Sequence, residues 1–222
     1  MNISEKEIKR FEKTAAVNEI AMMLGRYVTL MDQLDSKSIY EELFAVNNDE
    51  VSVEFESCGT YVGPEHARAF MEDLHKKLND LRNKRGWMDF YDAATPQILV
   101  SEDGQRAQAL WTLLSPKAKQ ASAEAGYTSN RKLTAFWQCG KMHWELIKVD
   151  GEWKILHFHQ LTYFTTEYHT GWGKQQECYR ETPMWSILPD KKPRFYVYHP
   201  DIVYVQGGQY NWGPYLPDEK DI

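Results

Sequence analysis

The stretch from Lys132 to Phe164 constrains this fold more than any other part of the chain. Two long runs of alternating side chains, Lys132 to Val149 and Glu152 to Phe164, are separated only by Asp150-Gly151. Such a dipeptide between alternating runs signals a tight hairpin, because both residues accept the left-handed backbone that the turn requires. Long strands twist, so a sheet built on them must curl, and a curled sheet must be filled.

The preceding residues supply the filling. Residues 4 to 34 read as one amphipathic helix, with Ile20, Leu24, Tyr27, Val28 and Met31 as its core stripe. Asp35 and Ser36 cap a short second helix carrying Ile39, Leu43 and Phe44 inward. Val51, Val53 and Phe55 alternate as a strand, and Gly59 turns the chain into Thr60 to Val62. Gly63-Pro64 opens a third helix with Ala67, Phe70, Met71, Leu74, Leu78 and Leu81 inside, and Gly86 stops it. One strand is expected from Phe90 to Val100 and, after the turn Asp103-Gly104, another from Arg106 to Leu114. Residues 115 to 130 are small and polar and read as a mobile loop. The expected fold is α+β: a cone-shaped half-barrel of curved, mostly antiparallel sheet wrapped on three N-terminal helices.

From Thr165 onward the character changes. Trp172, Tyr179, Trp185, Phe195, Tyr196, Tyr198, Tyr204, Tyr210, Trp212 and Tyr215 are spread among Pro, Gly and charges without periodicity. So many aromatic residues argue against disorder. The division is therefore a cone domain over 1–164 and an extension over 165–222, an ordered strap on its own cone or on a neighbouring subunit.

A net charge of −6, with no basic stripe interleaved with aromatics, argues against a nucleic-acid partner. The cluster Arg82, Lys84 and Arg85 falls at a helix end, where cations complement the dipole. No stretch approaches the length of a membrane span, and Met1 to Lys13 lacks the apolar core of a signal peptide. Cys58, Cys139 and Cys178 are odd in number and without paired spacing, which fits free thiols in the cytoplasm.

Several segments carry a resemblance: Tyr27-Val28-Thr29-Leu30-Met31-Asp32 followed by Asp35, Leu43-Phe44-Ala45, Tyr61-Val62-Gly63-Pro64-Glu65, Thr95-Pro96-Gln97-Ile98, and Asp150-Gly151-Glu152-Trp153-Lys154-Ile155. In this order, over roughly residues 8 to 164, they resemble the nuclear transport factor 2-like superfamily and its SnoaL-like group. Functionally the chain is most similar to that superfamily's cofactor-free dehydratases, of the bile-acid 7α-dehydratase type. The resemblance matches their Tyr and Asp, five residues apart, to Tyr27 and Asp32. Tyr91 stands where they carry a histidine, Ser115 near their later Asp, and Thr162 near their Arg.

These residues define a chemistry. A carboxylate at a helix end beside an apolar cavity is a base whose pKa desolvation can raise, which makes Asp32 the candidate proton acceptor. Tyr27 is a phenol on the buried stripe, able to hydrogen-bond a carbonyl oxygen as charge develops there. Five residues of helix place the two about 140° apart, so they meet only if the helix ends or bends between them. The plainer alternative is a core tyrosine and a capping aspartate. Tyr91 and Asp92 are strand neighbours, so one alone can enter the cone, and the resemblance selects Tyr91 as a second phenol.

Trp111, Trp144, Phe158, His157 and His159 are the candidate substrate-binding residues. Parity constrains the last two: if Thr162 faces the cavity, then Gln160, Phe158 and Leu156 do too, and both histidines point outward. A His-x-His pair can ligate zinc, and His143 and Glu145 on the neighbouring strand share a face that could complete a site. Without a ligand motif, no metal is expected.

Two functions are in view. One is a cofactor-independent lyase (dehydratase) or isomerase that abstracts a proton next to a carbonyl on a small, partly apolar cyclic or aromatic substrate. The other is a non-catalytic small-molecule binding protein using the same pocket. A third possibility is that the aromatic strap binds another chain. The open sheet face leads us to expect a homo-oligomer, a dimer or trimer.

Overall fold

The computed structural model describes residues 3–55, 58–82, 88–120, 133–169 and 187–191. Gly86, Cys178 and the ten strap aromatics named above lie outside the described residues.

Helix α1 (Glu5–Asp32) starts at a capping box, in which the Ser4 hydroxyl accepts from the Glu7 N–H and the Glu7 carboxylate accepts from the Ser4 N–H at 2.8 Å. Its second half buries Ala16, Ile20, Leu24, Tyr27, Leu30 and Met31. Leu34, in the left-handed region at φ 60°, ends it, and the Asp35 N–H returns to the Leu30 carbonyl at 2.8 Å. Asp35 then caps α2 (Ser36–Leu43) by accepting from the Ser38 N–H at 3.1 Å. Strands β1 (Ser52–Phe55) and β2 (Gly59–Val62) form a small hairpin, followed by α3 (Pro64–Arg82).

The rest is sheet: β3 (Met88–Asp89), β4 (Asp92–Val100), β5 (Arg106–Gln120), β6 (Leu133–Val149) and β7 (Glu152–Glu167). The order is β2-β1-β7-β6-β5-β3, with β4 also paired to β5. All pairings are antiparallel except β1 with β7, where Ser52 aligns with His157 and Phe55 with Gln160. Bulges at Ala94/Gln97, Cys139/Gly140 and Glu145/Leu146 add local bends. At the second of these β7 comes so close that a Cβ on Gly140 would meet the Leu161 carbonyl. The hairpin turn is made by Asp150 at φ 52° and Gly151 at φ 85°. The core lies between the curled sheet and the three helices, a cone of α+β type.

Two expectations are corrected. The strand expected from Phe90 to Val100 starts at Asp92 as β4, and a separate β3 precedes Phe90 and Tyr91. Residues 115 to 120, expected in a loop, extend β5 and pair with β6 as far as Gln120–Leu133; 121–132 lie outside the described residues.

Of the extension, β7 takes the first residues, and 187–191 lie along the outer edge of β2. The Thr60 N–H donates to the Lys191 carbonyl at 3.0 Å, and the Val62 N–H donates to Asp190 Oδ2 at 2.8 Å. His66 Nδ1 approaches the same carboxylate at 2.8 Å. Cys58 and Cys139 are free thiols. No helix among the described residues is long and apolar enough to cross a membrane.

Candidate active site

Alternation along β5, β6 and β7 produces two faces of opposite chemistry. On the inner face, Trp111 and Trp144 are wholly buried and meet edge to face, with ring centroids 4.5 Å apart. Tyr27 reaches down from α1 onto this pair, 5.5 Å from Trp144 and 5.6 Å from Phe158. Gln160 and Thr162 continue the face along β7, and Gln138 Nε2 donates to Thr162 Oγ1 at 2.7 Å. As parity requires, Phe158, Gln160 and Thr162 are all buried. Leu156 departs from that parity: at the Glu145/Leu146 bulge, Ile155 stands opposite Leu146. Ile155, not Leu156, joins the core cluster.

The Tyr27 hydroxyl has no hydrogen-bond partner among the described residues, although the side chain is only 1% exposed. An unpaired buried hydroxyl costs on the order of 1–3 kcal/mol, so it marks a position where a partner belongs. Burial first, and the nearby Asp89 charge second, push its pKa up, keeping Tyr27 a neutral donor.

Asp89 is the residue that the sequence reading missed. Its side chain is 6% exposed, and Lys117 Nζ lies 2.9 Å from each carboxylate oxygen. The Ser115 hydroxyl, fully buried, sits between Asp89 Oδ1 at 3.3 Å and the Phe90 carbonyl, to which it donates. The Lys117 ammonium also lies 5.1 Å above the Tyr91 ring. Burial pushes the Asp89 pKa up; Lys117 and Ser115 oppose the rise, and the charge of Asp32 adds to it. Alternation gave no signal for it, since β3 ends at Asp89 and Phe90 and Tyr91 interrupt the strands.

Asp32 occupies a different position. Helix α1 runs on through Asp32 without ending after Tyr27, so the 140° separation stands: Tyr27 points inward and Asp32 is exposed. The two do not meet as a pair, and Asp32 acts on the cluster through its charge on Asp89.

The histidines lie on the outer face. His157 Nδ1 is 2.8 Å from Ser52 Oγ, His159 Nε2 is 3.9 Å from Glu54 Oε1, and His143 Nε2 is 3.3 Å from Gln108 Oε1. His143 pairs directly across from His159, and Glu145 from His157. Burial first, then the neighbouring histidines, lower the His143 pKa to about 4. As inner-face binding residues His157 and His159 are therefore corrected: strand alternation turns both away from Trp144 and Phe158. Among the described residues, no three His, Cys, Asp or Glu side chains are grouped to hold a metal ion.

The model of the SnoaL-like domain matches residues 12–159, two thirds of the chain. This chain belongs to the SnoaL-like domain family. Its fold is similar to that of LinA, at 16% identity and a TM-score of 0.51, over 72% of this chain and 93% of that one. The Kfla4162 protein from Kribbella flavida is similar at 16% identity and a TM-score of 0.50, over 71% and 97%. A putative scytalone dehydratase from Novosphingobium aromaticivorans shares 18% identity over 72% and 92%, with a TM-score of 0.49. No curated protein matches in sequence. The SnoaL-like match stops inside β7, so 160–222 lie beyond it.

Proposed function

We propose that this SnoaL-like domain is a cofactor-independent lyase (dehydratase) or isomerase that removes a proton next to a carbonyl. The substrate is small, partly apolar, and cyclic or aromatic. The observation that carries this reading is the Tyr27 hydroxyl: buried, unpartnered among the described residues, held neutral, and within the field of a buried carboxylate. A neutral phenol is a good donor to a carbonyl oxygen that becomes an enolate, and a carboxylate with a raised pKa is a good acceptor for the proton. The Trp144 and Phe158 rings behind Tyr27 supply the apolar wall. Proton transfer of this kind asks for no redox group.

A second reading, a small-molecule binding protein using the same inner face, is favoured by Tyr91 standing where the similar dehydratases carry a histidine. The two separate on a panel of β-hydroxy and unsaturated ketones, thioesters and acids, followed by ultraviolet absorbance. Under the enzyme reading the wild type turns over at least one member, and Tyr27→Phe, still folded, lowers kcat/KM by roughly 10²-fold or more. Stoichiometric ligand binding with no turnover anywhere on the panel supports the binder.

A further inference from the structure

We propose that Asp89 is the general base of this site, with Lys117 and Ser115 as its positioning residues and Asp32 as a charged neighbour. This deepens the proton-abstraction reading and rests on it.

Three groups compete for the role. Asp32 and Asp92 are exposed, and water weakens a base that must strip a carbon acid. Tyr91 is a phenol, a base only after losing its own proton. Asp89 alone among these is a carboxylate withdrawn from water on the same side as Tyr27. Exposure of the side chains falls in order: Lys117 at 23%, Asp89 at 6%, and Tyr27 at 1% for the whole residue. Asp32 is exposed, and its charge reaches Asp89, whose own charge reaches the unpartnered Tyr27 hydroxyl.

The hydrogen bonds around Asp89 leave the carboxylate room. Lys117 Nζ lies 2.9 Å from both oxygens, while the single Ser115 proton goes to the Phe90 carbonyl, leaving its oxygen 3.3 Å from Oδ1. Each carboxylate oxygen has two lone-pair positions, so with Lys117 as its donor among the described residues the carboxylate keeps a position for an incoming proton. Lys117 holds the carboxylate ionised before that proton arrives.

The step balances within the site. The substrate Cα–H bond breaks, its proton goes to the Asp89 carboxylate, and its electron pair moves onto the carbonyl oxygen, which the Tyr27 hydroxyl holds. In elimination the carbonyl re-forms, the Cα=Cβ bond closes and the Cβ–O bond breaks. Asp89 returns its proton to the departing hydroxide, releasing water. In isomerisation the same proton goes to the γ-carbon. Either way Asp89 ends as it began.

A purely structural ion pair tying β3 to β5 predicts something different, and pH profiles separate the two. Lys117 and Ser115 from β5 contact Asp89, the Asp32 charge from α1 reaches it, its own charge reaches Tyr27, and Tyr91 lies under the same Lys117 ammonium. We expect Asp89→Asn to lower kcat/KM by roughly 10³-fold while remaining folded. Asp32→Asn keeps activity within about tenfold but moves the acid limb of the kcat/KM profile to lower pH, because a charge that raises the Asp89 pKa is gone. Lys117→Met moves that limb the other way. Full activity in Asp89→Asn with loss in Asp32→Asn overturns the assignment and leaves proton abstraction standing. If the wild type turns over nothing, the enzyme reading falls, and nitrophenol binding still tests the base. With Asp89 ionised the site prefers the neutral phenol, so Asp89→Asn should raise affinity for the nitrophenolate at least tenfold and Asp32→Asn by less. Equal affinity in Asp89→Asn and wild type refutes an ionised Asp89 facing the ligand.

Discussion

Neighbours on the same strand of this domain inhabit different solvents. Trp144 is wholly buried against Trp111, Tyr27 and Phe158, while His143, one residue earlier, faces outward toward Gln108 and His159. On β7 the same holds for Phe158 against His157 and His159. The inner face is largely apolar, and beside the paired Gln138 and Thr162 its Tyr27 Oη, Trp111 Nε1, Trp144 Nε1 and Gln160 Oε1 lack partners among the described residues. The outer face carries titratable side chains that contact one another across the strands. Stranded polar atoms in an apolar wall suit a ligand; a paired polar surface suits structure.

The comparison breaks first at Trp144. Trp144→Ala removes an indole from the centre of the inner face and should cost about 4 kcal/mol, read as a lower denaturation midpoint with m unchanged. A cost under about 1 kcal/mol would mean that the inner face collapses around a loss at its centre, and that it is not a packed wall. Its outward neighbour behaves differently, through pH. The His143 pKa falls from 6.5 to about 4 in the fold, so the unfolded chain binds its proton first as pH drops. The contribution is fully present above pH 6.5 and is lost as pH falls toward 4, at most about 3 kcal/mol. In His143→Gln the stability profile should be flatter by that amount over this window, as denaturation midpoints at a series of pH values would show. An unchanged slope would place His143 in water, against the burial seen.

Much of this architecture was legible because it follows from periodicity. The core stripe of α1, the Asp150-Gly151 turn and the alternation of β6 and β7 each need only local rules. The parity argument that turns His157 and His159 outward needed one thing more, the placing of Thr162 toward the cavity, which the family resemblance supplied. Asp89 was hidden for two physical reasons. Its strand has two residues and stops at Phe90, too short to show alternation. Its partner Lys117 lies in Ser115-Pro116-Lys117-Ala118, which has poor strand propensity and a proline lacking an N–H. That stretch is a strand because β6 pairs with it from Ser115–Gln138 to Gln120–Leu133, so tertiary pairing overrides local preference. Asp32 misled for the converse reason: family spacing suggested a pair with Tyr27, whereas a helix continuing through Asp32 holds the two apart.

The smallest effect sharpens the outer face. Ser52 Oγ and His157 Nδ1, 2.8 Å apart, join β1 to β7 at the sheet's one parallel seam among the described residues. Ser52→Ala removes one part-buried neutral hydrogen bond and should cost about 1 kcal/mol. Ser52→Thr keeps the hydroxyl, favours a strand, and should cost less. If the bond itself carries the loss, Ser52→Ala in a His157→Ala background costs less than it does alone, and the difference is the coupling. Strict additivity would mean that the two side chains merely lie side by side. A loss as large as that of Trp144→Ala would place the outer face on equal terms with the inner one, and the distinction between a ligand wall and a structural surface would have to be drawn elsewhere.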